Sequence, residues 1–179
     1  MTELVVDYDP AWPGLFDEVG TQLRRSLGEL AVRIDHIGST SVPGLAAKPI
    51  IDLQVSVVSL EPVDAYRPAV EGCGFAWQAD NPELTKRYFR EVAPRRRTHL
   101  HVRRSGSFSE QFALLFRDFL RAHPARADEY AAVKRELAHL LLTDRSAYVD
   151  AKAPFSWDTI RLADAWAQQT GWQPGPSDA

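Results

Sequence analysis

Residues 31–58 constrain this chain more than any other stretch. AVRIDHI, at 31–37, alternates apolar with polar side chains, which is the period of a strand. Ile50 to Val58 is a second run, and Ile50, Ile51, Leu53, Val55, Val57 and Val58 make it apolar enough for a sheet buried on much of both faces. Between them lies GSTSVPGLAAKP, whose glycines, hydroxyls and prolines favour a turn. A fold built around these residues has a sheet at its centre.

The flanking segments read as helices. Asp9 followed by Pro10 predicts a helix start, because an Asp side chain accepts from free amides and proline suits the first helical position. Trp12, Leu15, Phe16, Val19, Leu23, Leu27 and Leu30 then recur at helical spacing. Pro62 to Glu71 is expected to be helical, with Pro68 removing an amide from its interior. Phe75 to Trp77 suggests a short strand, and Leu84 to Val92 with Thr98 to Arg104 a hairpin. Phe112, Leu115, Phe116, Phe119 and Leu120 form one helical stripe and Tyr130, Val133, Leu137, Leu140 and Leu141 another. A last helix is expected from Tyr148 to Thr170, broken or kinked near Pro154. Strands followed by clustered helices give an α+β pattern. One domain is expected over 1–171, with 172–179 a flexible, frayed tail.

Composition narrows the function classes. A net charge of -3 gives no basic surplus, so general nucleic-acid binding is not expected. The single cysteine, Cys73, has no intramolecular partner, which is compatible with a reducing cytoplasm. Lying between two glycines with no local base, it reads as a buried small hydrophobe. Met1 to Asp9 carries Glu3, Asp7 and Asp9 and no basic start, so no secretion leader is expected. No run approaches the ~20 apolar residues of a membrane span. A cytoplasmic protein without a membrane partner is the expectation.

The chemistry concentrates in HIGSTSVPGLAAKPIID, from His36 to Asp52. Turns of Gly, Ser and Thr can aim backbone amides and hydroxyls at one phosphate. Gly38 lets the backbone approach closely, Ser39, Thr40 and Ser41 can donate to phosphate oxygens, and Lys48 can supply a compact positive charge. Asp52 can hold a divalent metal of the kind that neutralises charge in phosphoryl or nucleotidyl transfer. The segment is not a P-loop: five residues separate Gly38 from Gly44 and no Gly-Lys-Ser/Thr follows. A plain capped loop is the alternative reading of the same residues.

This string resembles the signature of the GrpB family. Further similarity lies in Tyr8-Asp9-Pro10 with Trp12, THLHV at Thr98 to Val102, and FRDFLR at Phe116 to Arg121. Tyr130 with Lys134, and Tyr148 with Lys152, also sit where that family tends to carry Tyr and Lys. The resemblance implies a nucleotidyltransferase-like mixed sheet flanked by helices, with a helical C-terminal part. It also implies a Gly-Ser turn preceding a strand of metal-binding carboxylates, and some family members look like domains fused to dephospho-coenzyme A kinase. One departure stands out: active nucleotidyltransferases place two acidic residues at alternate strand positions, whereas here the strand reads Asp52-Leu53-Gln54.

A further ligand would come from Thr98-His99-Leu100-His101-Val102-Arg103, where alternation puts His99, His101 and Arg103 on one face. Imidazoles favour zinc, nickel or manganese-like ions over magnesium, and the bland alternative is a solvated strand face. His36 reads as a structural hydrogen-bonder. Lys86, Arg87, Arg90, Arg95, Arg96, Arg97, Arg103 and Arg104, against Glu91 alone, predict a positive lobe able to clamp a triphosphate, or else a solvated hairpin tip at Arg95 to Arg97. Lys134 and Lys152 read as exposed helix charges.

The combined expectation is a metal-dependent nucleotidyltransferase using a nucleoside triphosphate, a Mg2+, Mn2+ or Zn2+ ion and an unidentified small acceptor. Asp52 and His101 are the catalytic candidates, with Asp52, His99 and His101 as metal ligands. Gly38, Ser39, Thr40, Ser41, Lys48, Arg97 and Arg103 are the nucleotide-binding candidates. A non-catalytic nucleotide- or coenzyme-binding module and a metal-dependent phosphohydrolase are the alternatives.

Overall fold

The structure is a computed structural model that describes residues 4–179; the expectation for Met1 to Glu3 lies outside them. Helix α1 (Trp12–Leu27) starts later than Asp9 and Pro10 predict. Asp9 instead closes the preceding turn, its carboxylate accepting from the Ala11 amide at 2.9 Å, and Pro13 takes the first helical turn. Then come β1 (Arg33–Ile37), β2 (Ile51–Val57), α2 (Arg67–Gly72), β3 (Phe75–Trp77), β4 (Lys86–Glu91) and β5 (Thr98–Arg104). Helices α3 (Phe108–Ala122), α4 (Pro124–Glu136) and α5 (Arg145–Thr170) complete the chain. Among the described residues no helix is long and apolar enough to cross a membrane.

The strands form one mixed sheet in the order β1-β2-β5-β4-β3. Only β2 and β5 run parallel; the other neighbours are antiparallel. The α+β expectation, a mixed sheet followed by a helical part, describes the protein. Pro68 breaks nothing, because α2 begins at Arg67 and proline falls in its first turn, where no internal amide is needed. Helix α5 runs through Pro154 as one element.

The two faces of the sheet differ. Leu53, Val55, Val57, Leu100, Val102 and Phe89 pack against Trp12, Phe16, Leu23 and Leu27 of α1 and against Val70 of α2. Each such side chain removed from water contributes about 1.5–3 kcal/mol, so this layer fixes which way β2 faces. The opposite face carries Asp52, Gln54 and Ser56 of β2, with Gln54 and Ser56 fully buried. β2 is thus buried on both faces, as expected, but apolar on only one.

Residues 177–179, within the segment expected to fray, lie along the outer edge of β1. The amides of Asp178 and Ala179 donate to the Ile34 carbonyl at 3.0 and 3.1 Å. The Ile34 amide donates to Ser177 Oγ at 2.8 Å, and the His36 amide to Asp178 Oδ2 at 3.0 Å. Arg117, buried on α3, reaches Asp178 at 2.8 Å. An edge strand presents unpaired amides and carbonyls, and this segment satisfies them.

Candidate functional site

The register of β2 against β5 builds the site. Asp52 pairs with His99 and Gln54 with His101, so side chains from residues 47 positions apart meet on one face. Asp52 Oδ1 accepts from His99 Nδ1 at 3.1 Å, and His101 Nε2 stands 3.6 Å from the same oxygen. The ligand atoms of Asp52, His99 and His101 all lie within 4.8 Å of one another. Burial works against the Asp52 charge, yet the two imidazoles hold its carboxyl well below the usual carboxylate range. Burial pushes His101 down to about 4 despite Asp52, with Arg103 and Lys86 acting in the same direction as burial.

The Gly-Ser turn comes to this carboxylate. Gly38 has φ +71 and ψ -171, a conformation that glycine alone adopts readily. Ser39–Ser41 then form one turn of 3-10 helix. The three hydroxyls have different occupations. Ser41 Oγ donates to the Gly38 carbonyl at 2.6 Å, locking the turn. Thr40 Oγ1 donates to the Ile50 carbonyl at 3.3 Å and lies 3.0 Å from His36 Nε2. Ser39 is half-buried and lines the cavity beside Asp52. His36 stacks on Phe16 at 4.9 Å, and burial, helped by Arg121, lowers its pKa to about 4. It stands behind the turn as a structural hydrogen-bonder.

The cavity, about 380 Å³, opens between the polar sheet face and the helices. Gly38, Ser39, Asp52, His99, His101 and Arg103 line one wall, and Phe112 and Phe116 of α3 with Tyr130, Lys134, Tyr148 and Lys152 line the other. Lys48 lies between them. Its Nζ stands 5.4 Å from the Tyr148 ring centroid, and that of Lys152 stands 5.5 Å from it. Lys134 donates to the Ala46 carbonyl and lies 4.5 Å from the Tyr130 ring centroid. Burial, reinforced by Lys152, Arg135 and Lys48, lowers Lys134 to about 7. Burial raises Tyr148 to about 12, so its hydroxyl keeps its proton.

Lys134 and Lys152 therefore differ from the expected exposed charges: Lys134 is buried and Lys152 half-buried. The signal was present, because Ala127, Tyr130, Ala131 and Lys134 follow the buried stripe of α4, and a lysine there is out of place on a packed face. The arginine-rich hairpin contributes less than its composition predicts. Arg97 is exposed, pairs with Glu91 at 3.1 Å and does not line the cavity. Arg87 pairs with Glu61 at 2.5 Å, Lys86 with Glu83 at 2.6 Å, and Arg95 donates to the Cys73 carbonyl at 2.6 Å. Only Arg103 of that group reaches both the cavity and the carboxylate face, where it donates to Gln54 Oε1.

The donor set decides which ion suits the site. One carboxylate and two imidazoles converge, which fits a single manganese- or zinc-like ion better than an all-oxygen magnesium pair. Gln54 adds no carboxylate, and its oxygen is engaged by Arg103.

Comparisons with known proteins place this architecture. The profile of the family described as GrpB protein matches residues 4–161. The crystal structure of the conserved protein GrpB from Enterococcus faecalis is 34% identical with a TM-score of 0.80, covering 90% of this chain and 99% of that one. A UPF0157 protein of Halalkalibacterium halodurans is 38% identical over 162 residues, 90% of this chain and 82% of its own length. A dephospho-CoA kinase of Mycolicibacterium paratuberculosis is 34% identical over 195 residues, 95% of this chain but 48% of that protein. The chain spans about half the length of several of these relatives, including 49% of a Bacillus subtilis UPF0157 protein. The structure of a cytoplasmic RNA terminal U-transferase, 13% identical with a TM-score of 0.50, covers 75% of this chain and 41% of that one; this likeness is one of fold.

Proposed function

Because the chain belongs to the GrpB family and has a nucleotidyltransferase-like fold, we propose that it binds a nucleoside triphosphate in this cavity and transfers the nucleoside monophosphate to a small acceptor. One observation carries the reading: the Gly38-Ser39 turn, the Asp52-His99-His101 cluster and Lys48, Lys134 and Lys152 all line a single cavity. A ligand bound there would meet cation-binding groups at one wall and ammonium groups at the other.

Asp52, His99 and His101 would hold a divalent ion, which when bound supplies Lewis-acid neutralisation of phosphate charge. Ser39 and the open backbone at Gly38 would receive a phosphoryl oxygen, while the lysines would orient the triphosphate tail and take up its charge. In the transfer, an acceptor oxygen bonds to the α-phosphorus as the bond to the β-phosphate oxygen breaks. Pyrophosphate leaves and the acceptor proton passes to solvent. With His101 held near 4, its neutral ring suits ligation better than proton abstraction at neutral pH. The lone buried thiol Cys73 accords with a place in the cytoplasm.

The lack of a second carboxylate at Gln54 favours one other reading, a module that binds the nucleotide or a coenzyme without turning it over. The discriminating experiment incubates the purified protein with each nucleoside triphosphate and Mg2+ or Mn2+ across a panel of acceptors. Pyrophosphate release supports transfer. Binding without pyrophosphate supports the module, and phosphate release without an acceptor indicates a phosphohydrolase instead.

A further inference from the structure

We infer that the site takes one divalent ion, and that the guanidinium of Arg103, steered by Gln54, supplies the remaining positive charge to the bound phosphates. The inference rests on the reading of Asp52, His99 and His101 as ion ligands and adds a role for the two residues beside them.

The strand positions make the argument. Gln54 follows Asp52 by two residues, on the same face of β2, and is fully buried. A carboxamide carries no charge, its Oε1 already accepts from Arg103, and its Nε2 is a donor that cannot ligate a cation. Arg103 follows His101 by two residues on β5, so the two strands deliver Asp52 with Gln54 and His101 with Arg103 as adjacent pairs. A cation fixed at this place opposes entry of a second metal ion.

Arg103 is also short of counter-charge. Among the described residues no carboxylate lies within ion-pair distance of it, and its buried Nε has no hydrogen-bond partner. Glu83, Asp52 and Glu110 act on it only at longer range: Glu83 is paired with Lys86, Asp52 with the imidazoles, and Glu110 accepts from the Gly106 amide. A guanidinium stays protonated in any protein environment, and one held largely out of water with a neutral partner is costly unless an anion joins it. Arg103 lines the cavity, so a phosphoryl group seated over Asp52 would meet it, and its planar fork matches two phosphate oxygens.

The test uses the whole chain and two probes: Mn2+ alone, counted by electron paramagnetic resonance of the free ion, and pyrophosphate supplied as its manganese complex, followed by calorimetry. One Mn2+ per chain is expected. Arg103→Met should keep that single ion yet bind the pyrophosphate complex about 10- to 100-fold more weakly. Arg103→Lys, which keeps the charge without the fork and guards against misfolding of the methionine variant, should recover part of the loss. Two ions in the unaltered chain would overturn the inference. So would pyrophosphate affinity within about twofold of the unaltered chain in both variants, an outcome that leaves the single-ion site standing. No bound Mn2+ at all would remove both this inference and the metal-dependent function it extends.

Discussion

A β-carbon placed on Gly38 would fall 2.7 Å from Oδ2 of Asp52. The turn and the carboxylate are therefore packed against each other with no room for a methyl group, and Gly38 also holds a φ of +71 that other residues rarely adopt. Gly38→Ala should cost about 1–3 kcal/mol of stability. By displacing Asp52 it should also weaken Mn2+ binding by about 10- to 100-fold. Denaturant titration and Mn2+ titration of one preparation measure both, and an alanine variant that keeps full ion affinity would refute the contact's importance.

Lys134 is expected to couple anion binding to proton uptake. Its pKa near 7 leaves it largely neutral in the free protein at pH 8, and a bound anion raises that value. Pyrophosphate binding at pH 8 should then take up a fraction of a proton, seen as a difference in calorimetric enthalpy between buffers of unlike ionisation heat. Lys134→Met should abolish the uptake and weaken binding about 10-fold at pH 6.5, with a smaller loss at pH 8.5.

His36 predicts acid sensitivity. Burial lowers its pKa from 6.5 to about 4, so between those values the unfolded chain binds more protons than the folded one. Stability from this group is intact above pH 6.5 and is lost as pH falls towards 4, amounting to about 3 kcal/mol. His36→Gln should lower stability at pH 7, where the Thr40 contact is lost, but flatten the decline between pH 6.5 and 4. Chemical denaturation across that range reads the slope, and an unchanged slope would exclude His36 as its source.

Asp178→Ala tests the docked segment. It removes the acceptor of both the His36 amide and the buried Arg117 guanidinium. A loss of about 1–3 kcal/mol is expected, together with faster hydrogen exchange at the His36 amide. A loss below about 0.5 kcal/mol, the usual range for a surface change, would mean that the Asp178 carboxylate contributes no stability.

Much of the site could be read from the sequence because it depends on local rules. Alternation placed Asp52 with Gln54, and His99 with His101 and Arg103, on single faces, and the Gly-Ser turn marked where backbone approaches closely. Pairing between β2 and β5 was not legible, since periodicity tells which way a side chain points and not which strand lies beside it. The burial of Lys134 was not legible for the same reason: its acceptor, the Ala46 carbonyl, lies on a distant loop. Arg97 misled because a charge run does not reveal that a neighbour such as Glu91 already engages it. The segment 172–179 has the composition of a loose end, and only the unpaired edge of β1 explains why its last residues dock.

The parallel pairing of β2 and β5 has a last consequence. Sliding β5 by one residue would turn His99 and His101 into the apolar layer and bring Leu100 and Val102 to face Asp52. An ion that requires all three ligands would bind only the correctly zipped sheet, so mass action would favour that alignment over its slipped competitors. The ion proposed for this site would then act as a proofreader of strand alignment, rewarding one register among the several the backbone alone could tolerate.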